Sequence, residues 1–108
     1  MIVVFTDAAD TDLERIGDHI ADQNPRRAAS FVAELVDRCE QLTESPQAFP
    51  VLPRYKEIGI RRRSYGNYLI LYRIEGEHIE ILHILHGARD YETILFPAEP
   101  GTPDDGSS

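Results

Sequence analysis

With 108 residues and a formal net charge of -8, the chain has room for one domain. Folding at this size removes roughly two thirds of the accessible surface, enough for a modest core without covalent staples. The acid excess excludes a general nucleic-acid binder, which needs clustered Lys and Arg. The single cysteine, Cys39, excludes an internal disulfide. Its spacing from Leu35 and Leu42 marks it as a buried structural thiol rather than a nucleophile. No charged-then-apolar leader opens the chain, and Ile2–Phe5 is too short for a signal or membrane span. The expected setting is the reducing cytoplasm.

In chain order, the β-branched and aromatic run Ile2–Phe5 predicts a first strand. A helix then starts either at Thr6 and Asp7 or at the Thr11-x-x-Glu14 capping box, with Leu13, Ile16 and Ile20 on its apolar stripe. Asn24-Pro25 ends this helix and begins another, with Asn24 as N-cap and Pro25 in the first helical position. The second helix carries Ala28, Phe31, Leu35, Cys39 and Leu42 on one face and runs to about Glu44. Pro46, Pro50 and Pro53 make the next stretch an irregular crossing loop. Three strands follow, over about Ile58–Ser64, Tyr68–Ile74 and His78–Leu85. Gly66-Asn67 and Gly76-Glu77 supply their tight turns. Asp90–Phe96 predicts one or two helical turns. The Pro-, Gly-, Asp- and Ser-rich residues 97–108 predict a disordered tail, leaving residues 1–96 as the domain.

Side chains alternate across a strand, so the hairpins assign faces. With Gly66-Asn67 as the turn, Arg61, Arg63, Tyr65, Tyr68, Ile70, Tyr72 and Ile74 share a face, continued by Ile79, Ile81, His83 and Leu85. The other face carries Ile60, Arg62, Leu69, Leu71, Arg73, Glu80, Leu82, Ile84 and His86. Two helices can cover only one face, and the isoleucine-rich one is the natural choice. Leu69, Leu71, Leu82 and Ile84 are then left for the C-terminal helix or for a partner, because monomers rarely leave large apolar patches open. Arg54, Lys56, Arg61, Arg62, Arg63 and Arg73 form a local basic stripe on an acidic body, suited to an acidic peptide. Arg73 and Glu80 read as a cross-strand ion pair. His83 and His86, three apart on a strand, point to opposite faces and cannot share a metal ion. No metal or other cofactor is implied.

The order strand, two helices, three strands and a short helix resembles the ParE/RelE superfamily of bacterial toxins, the poison halves of toxin–antitoxin pairs. The resemblance runs from Ile2 to Phe96. It rests on the FTDAADTDLERI start, Gly59-Ile60-Arg61, the Tyr68–Tyr72 strand, and Ile84-Leu85-His86-Gly87-Ala88-Arg89-Asp90, whose His-Gly-x-Arg-Asp corner points to the ParE side. It implies an α+β fold, β-α-α-β-β-β, with an antiparallel sheet on a helical hairpin and a short C-terminal helix.

Relatives on the RelE side cut messenger RNA on the ribosome with basic residues on the sheet, an arginine after the last strand and often a C-terminal tyrosine. Cleavage by 2′-hydroxyl attack needs charge stabilisation and proton transfer. Here Arg62 and Arg89 match. The middle-strand position reads Leu69, Ile94, Leu95 and Phe96 stand where the tyrosine is wanted, and Tyr91 lies too early. ParE-like toxins are understood to poison DNA gyrase by binding rather than catalysis. The resemblance therefore implies a non-enzymatic toxin in a hetero-oligomer with a ParD-like antitoxin that has an acidic or amphipathic C-terminal segment, with no direct contact to nucleic acid or membrane. The expected antitoxin surface is Arg54, Lys56, Ile60, Arg62, Leu69, Leu71, Arg73, Leu82 and Ile84, and the expected target or toxicity residues are Arg61, Arg63, Arg89 and Phe96. A RelE-like endoribonuclease using Arg61–Arg63 and Arg89 is the alternative, and a toxin fold kept only as a binding module is a third.

Overall fold

The computed structural model describes residues 1–53, 56–87 and 91–95. Arg54, Arg89, Phe96 and the expected tail lie outside them. Strand β1 spans Ile2–Phe5, helix α1 Asp7–Ala21 and helix α2 Pro25–Glu40, followed by a 3₁₀ turn over Gln41–Glu44. Strands β2 (Arg61–Tyr65), β3 (Tyr68–Glu75) and β4 (His78–His86) precede helix α3 (Tyr91–Leu95). The sheet order is β1-β4-β3-β2, with β1 parallel to β4 and the other pairs antiparallel. No described helix is long and apolar enough to cross a membrane.

Local chemistry sets the helix starts. Thr6 caps α1: its hydroxyl oxygen accepts from the Ala9 amide at 3.1 Å and donates to the Ile81 carbonyl at 2.8 Å, tying the cap to the sheet. This decides for the first of the two predicted starts. Asn24 caps α2 by accepting from the Arg27 amide at 3.1 Å, with Pro25 in the first helical position, where its missing N–H costs nothing. The turn between β2 and β3 needs a left-handed residue, and Gly66 supplies it with φ 57°.

Two apolar cores flank the sheet. The larger, under the helices, gathers Ile16, Leu35, Cys39, Leu42, Ile70, Tyr72, Ile79 and Ile81. Cys39 is fully buried, and removal from water pushes its thiol up to about 12, which makes it the inert structural residue its spacing predicts. The smaller core lies on the opposite face: Leu52, Ile60, Leu71 and Leu85, with Leu82, Tyr91, Ile94 and Leu95 against it.

The second core exists because the proline-bearing loop wraps the sheet edge. Tyr72 donates its hydroxyl to the Pro46 carbonyl at 2.7 Å on the helix side. The chain then pairs briefly with β2, the Leu52 amide donating to Ile60 O (2.8 Å) and the Arg62 amide to Pro50 O (3.1 Å). Leu52 thereby arrives on the far face.

The predicted pairing of β2 with β3 is the observed one, Arg61 opposite Tyr72 through Tyr65 opposite Tyr68. In β4 the face assignment needs correction. Tyr72 pairs with Ile81 but Leu71 pairs with His83, so Leu82 is an extra residue, a β-bulge. Alternation inverts beyond it. Ile84, expected on the far face, joins Ile70 under the helices, and Leu85, expected under the helices, joins Leu71 on the far face.

Candidate functional site

The basic stripe divides by strand parity. Arg61 and Arg63 point to the helix side and are engaged within the chain. Arg61 Nη1 donates to the carbonyls of Phe49 (2.7 Å) and Gln47 (3.2 Å), fastening the crossing loop. Arg63 Nη1 donates to the Arg38 carbonyl at 3.0 Å, and its guanidinium lies 4.9 Å over the Phe49 ring. It thus satisfies an orphan carbonyl at the negative end of α2. The structure therefore places these two expected target-contacting cations in clamps that hold the fold. Lys56 and Arg62 are exposed. Arg73 donates to Glu80 at 2.8 Å directly across the strands, with Glu75 at 3.7 Å, the ion pair the sequence predicts.

The apolar far face is a packed interior. Leu71 is fully buried, with Ile60 3% and Leu69 8% exposed, so the expectation that Leu69 and Leu71 stand open to a partner is corrected. The chain's own Leu52 and α3 lie over the face. Leu82, half-buried at the rim of this core, is the accessible member of the expected apolar set.

One functionally placed residue was missed by the sequence reading. Asp12 is 7% exposed and sits where β1 has ended while β4 continues. Its Oδ2 accepts from the Ile84 amide at 2.9 Å and contacts His83 Nδ1 at 2.7 Å. A carboxylate only accepts, so Nδ1 carries the proton. Asp12 replaces the strand partner that β4 lacks there. The available signal was an acid on the buried helical stripe between Ala9 and Ile16, at i+3 and i+4 spacing.

Beside this junction lies a cavity of about 270 Å³, lined by Asp12, Arg15, Ile16 and His19 of α1 and by Tyr68, Ile84, Leu85 and His86 of the sheet. A second concavity of about 400 Å³ shares His19, Tyr68 and His86 and extends to Arg27 and Phe31. Phe31, Tyr65 and Tyr68 stack near one another, with ring centroids 5.5–5.8 Å apart, and His86 meets Tyr68 edge-on at 5.5 Å.

Glu34 organises the outer side of this cluster. It accepts from Arg27 at 2.7 Å and from the Tyr65 hydroxyl at 2.6 Å. The Arg27 hydrogen bond, then that of Tyr65, lowers its carboxyl from 4.5 to about 2. A depressed acid adds stability that is complete above its unfolded value and is lost as pH falls through the folded one. The stability difference between wild type and Glu34→Gln is therefore expected to be full at neutral pH and to shrink between pH 4.5 and 2. It stays small throughout, because the pair faces solvent. Urea midpoints across that range, with the Glu34 carboxyl followed by NMR, check this; a midpoint difference independent of pH would refute it. Among the described residues no group of His, Cys, Asp and Glu is arranged to hold a metal ion.

The fold and sequence together have clear relatives. No curated protein matches the chain significantly. Among solved structures, the chain is similar to one from the chromosomal ParDE toxin–antitoxin system of P. aeruginosa, with TM-score 0.68, 25% identity, and coverage of 80% of this chain and 95% of that one. It is also similar to a chain of the toxin–antitoxin complex RelBE2 from Mycobacterium tuberculosis, with TM-score 0.58, 28% identity, and coverage of 79% and 95%. The sequence profile described as "ParE toxin of type II toxin-antitoxin system, parDE" matches residues 3–91. With the predicted β-α-α-β-β-β order realised and the profile spanning nearly all of it, the chain belongs to the ParE family of type II toxins.

Proposed function

We propose that this toxin arrests growth by binding DNA gyrase, without catalysis, and that a ParD-like antitoxin encoded beside it neutralises it in a cytoplasmic hetero-oligomer. The observation that carries the non-catalytic reading is the far sheet face. Phosphodiester cleavage there would need cations and proton donors around an accessible phosphate. Instead Leu69 is buried, Leu71 lies beneath Leu52 and α3, and Arg61 and Arg63 are spent on the loop and on α2. Exposed Arg62 and Lys56, with Leu82 at the rim, remain suited to a protein contact.

Purified toxin is expected to inhibit gyrase supercoiling or to trap cleavage complexes at micromolar concentration, and added antitoxin is expected to reverse it. Unaffected gyrase at that concentration would count decisively against this target. The similarity to the RelBE2 complex and the accessible Arg62 favour a ribosome-dependent endoribonuclease as the second reading. Specific messenger cleavage in a translation extract would establish it instead.

A further inference from the structure

Strand β4 outlasts its neighbour. Its pairing with β1 ends at Ile81, opposite Phe5, yet β4 runs on to His86. Helix α1 rather than a strand borders this last stretch, and the two adjoining cavities form one trough along it. One wall is α1 with Arg15 and His19; the other is the sheet with Tyr68 and His86.

The charge of this trough is opposite to that of its surroundings. The chain is acidic overall, and the exposed face of α1 carries Asp7, Asp10, Glu14 and Asp18, with Asp22 capping its end. Among the described residues lining the trough, Asp12 is the one acid, and its carboxylate is occupied by His83 and the Ile84 amide. The side chains of Arg15 and His19 have no hydrogen-bond or ion-pair partner among the described residues. An acidic segment is thus attracted here and repelled elsewhere on the helix surface, which gives direction as well as binding.

Spacing defines the segment further. Arg15 and His19 stand one helical turn apart, about 6 Å along the axis. Alternate residues of an extended chain repeat at about 6.6 Å and point the same way, while the residue between them points oppositely. A strand-like acid–apolar–acid segment would place a carboxylate on each of Arg15 and His19 and turn its apolar side chain toward Tyr68.

We propose that this trough is a docking site for an extended acid–apolar–acid segment of the cognate antitoxin, distinct from the strand β2 stripe. The proposal rests on the reading of this chain as an antitoxin-bound toxin. Its test uses the full-length antitoxin from the neighbouring gene, titrated against wild-type toxin, the Arg15→Glu/His19→Glu double variant, and Arg26→Glu, an exposed α2 site outside the trough. Because both reversed positions lie at the protein surface, the double variant should melt as wild type does. Its affinity should fall about thirtyfold at low salt, with the deficit shrinking as salt rises, while Arg26→Glu binds normally. Reversing the matching antitoxin acids to Lys should restore binding to the double variant only.

Equal affinity of the double variant and wild type would overturn the trough, as would an equal loss with Arg26→Glu, which would indicate general charge repulsion. Displacement of the antitoxin from wild type by a short oligouridylate, with the double variant insensitive, would assign the trough to nucleic acid instead. If wild-type toxin binds no antitoxin, the underlying reading fails rather than the trough alone.

Discussion

Leu71→Asp is expected to abolish the folded state of the isolated toxin. Leu71 is fully buried at the centre of the far-face core, between Leu52, Ile60 and Leu85, with α3 packed on the same cluster. The nearest cation, the cross-strand Arg62, is exposed at the surface, so a carboxylate held among Leu52, Ile60 and Leu85 is buried without compensation, at a cost comparable to a small domain's whole margin of stability. Leu71→Ala separates packing from charge. It should cost about 2–5 kcal/mol, the range for deleting a buried leucine side chain, and so lower the urea midpoint while leaving a cooperative transition. Melting and urea curves of the free variants provide the check. A Leu71→Asp protein that unfolds cooperatively near the wild-type midpoint would mean that Leu52 and α3 do not cover the sheet in solution. The face would then be open to a partner, the other of the two coverings that the sequence allows.

The second large effect is expected at Asp12. Asp12→Ala removes the acceptor of the Ile84 amide and of His83 Nδ1 together, in a place where β1 no longer supplies carbonyls. A buried donor left without an acceptor costs about 1–3 kcal/mol, and two donors are stranded here. Asp12→Asn keeps one carbonyl oxygen and should recover part of the loss. Amide hydrogen exchange gives the local readout: the Ile84 amide should exchange faster in Asp12→Ala, beyond what the drop in global stability explains, while the Ile79 amide follows global stability alone. Unchanged protection at Ile84 would show that another group holds that strand edge.

The two sites share a structural cause. Both depend on how the ends of the sheet are finished: one edge by a loop that crosses from the helix side to the far face, the other by a helix carboxylate in place of a strand. Neither finish requires a metal or a disulfide. Each joins residues far apart in sequence, Asp12 with Ile84 and Leu52 with Leu71, so damage at either one disconnects elements rather than fraying a single one.

Much of the fold was legible in the sequence because the rules that wrote it are local. Thr6 and Asn24 cap the helices they precede, Pro25 occupies the one helical turn that tolerates it, and Gly66 and Gly76 adopt positive φ at the tight turns. Each of these depends on residues within about four positions, which a single sequence displays. The β2–β3 register followed from its turn, and the Arg73–Glu80 pair followed across the next hairpin. The order of elements suggested the ParE/RelE superfamily, and the His-Gly-x-Arg-Asp corner at 86–90 pointed to its ParE side. Tertiary structure decided the rest. Parity carries a face assignment along a strand only while no residue is inserted, so the bulge at Leu82 exchanged Ile84 and Leu85 without any local sign. The basic stripe seemed free because its acceptors are backbone carbonyls of Gln47, Phe49 and Arg38, and every residue has a carbonyl, so composition cannot announce which one is waiting. Whether the far face is covered depended on where a proline-bearing loop could lead Leu52 and on α3 settling over Leu71. These are contacts between distant segments, whose closure is set by three-dimensional packing rather than by any periodicity along the chain.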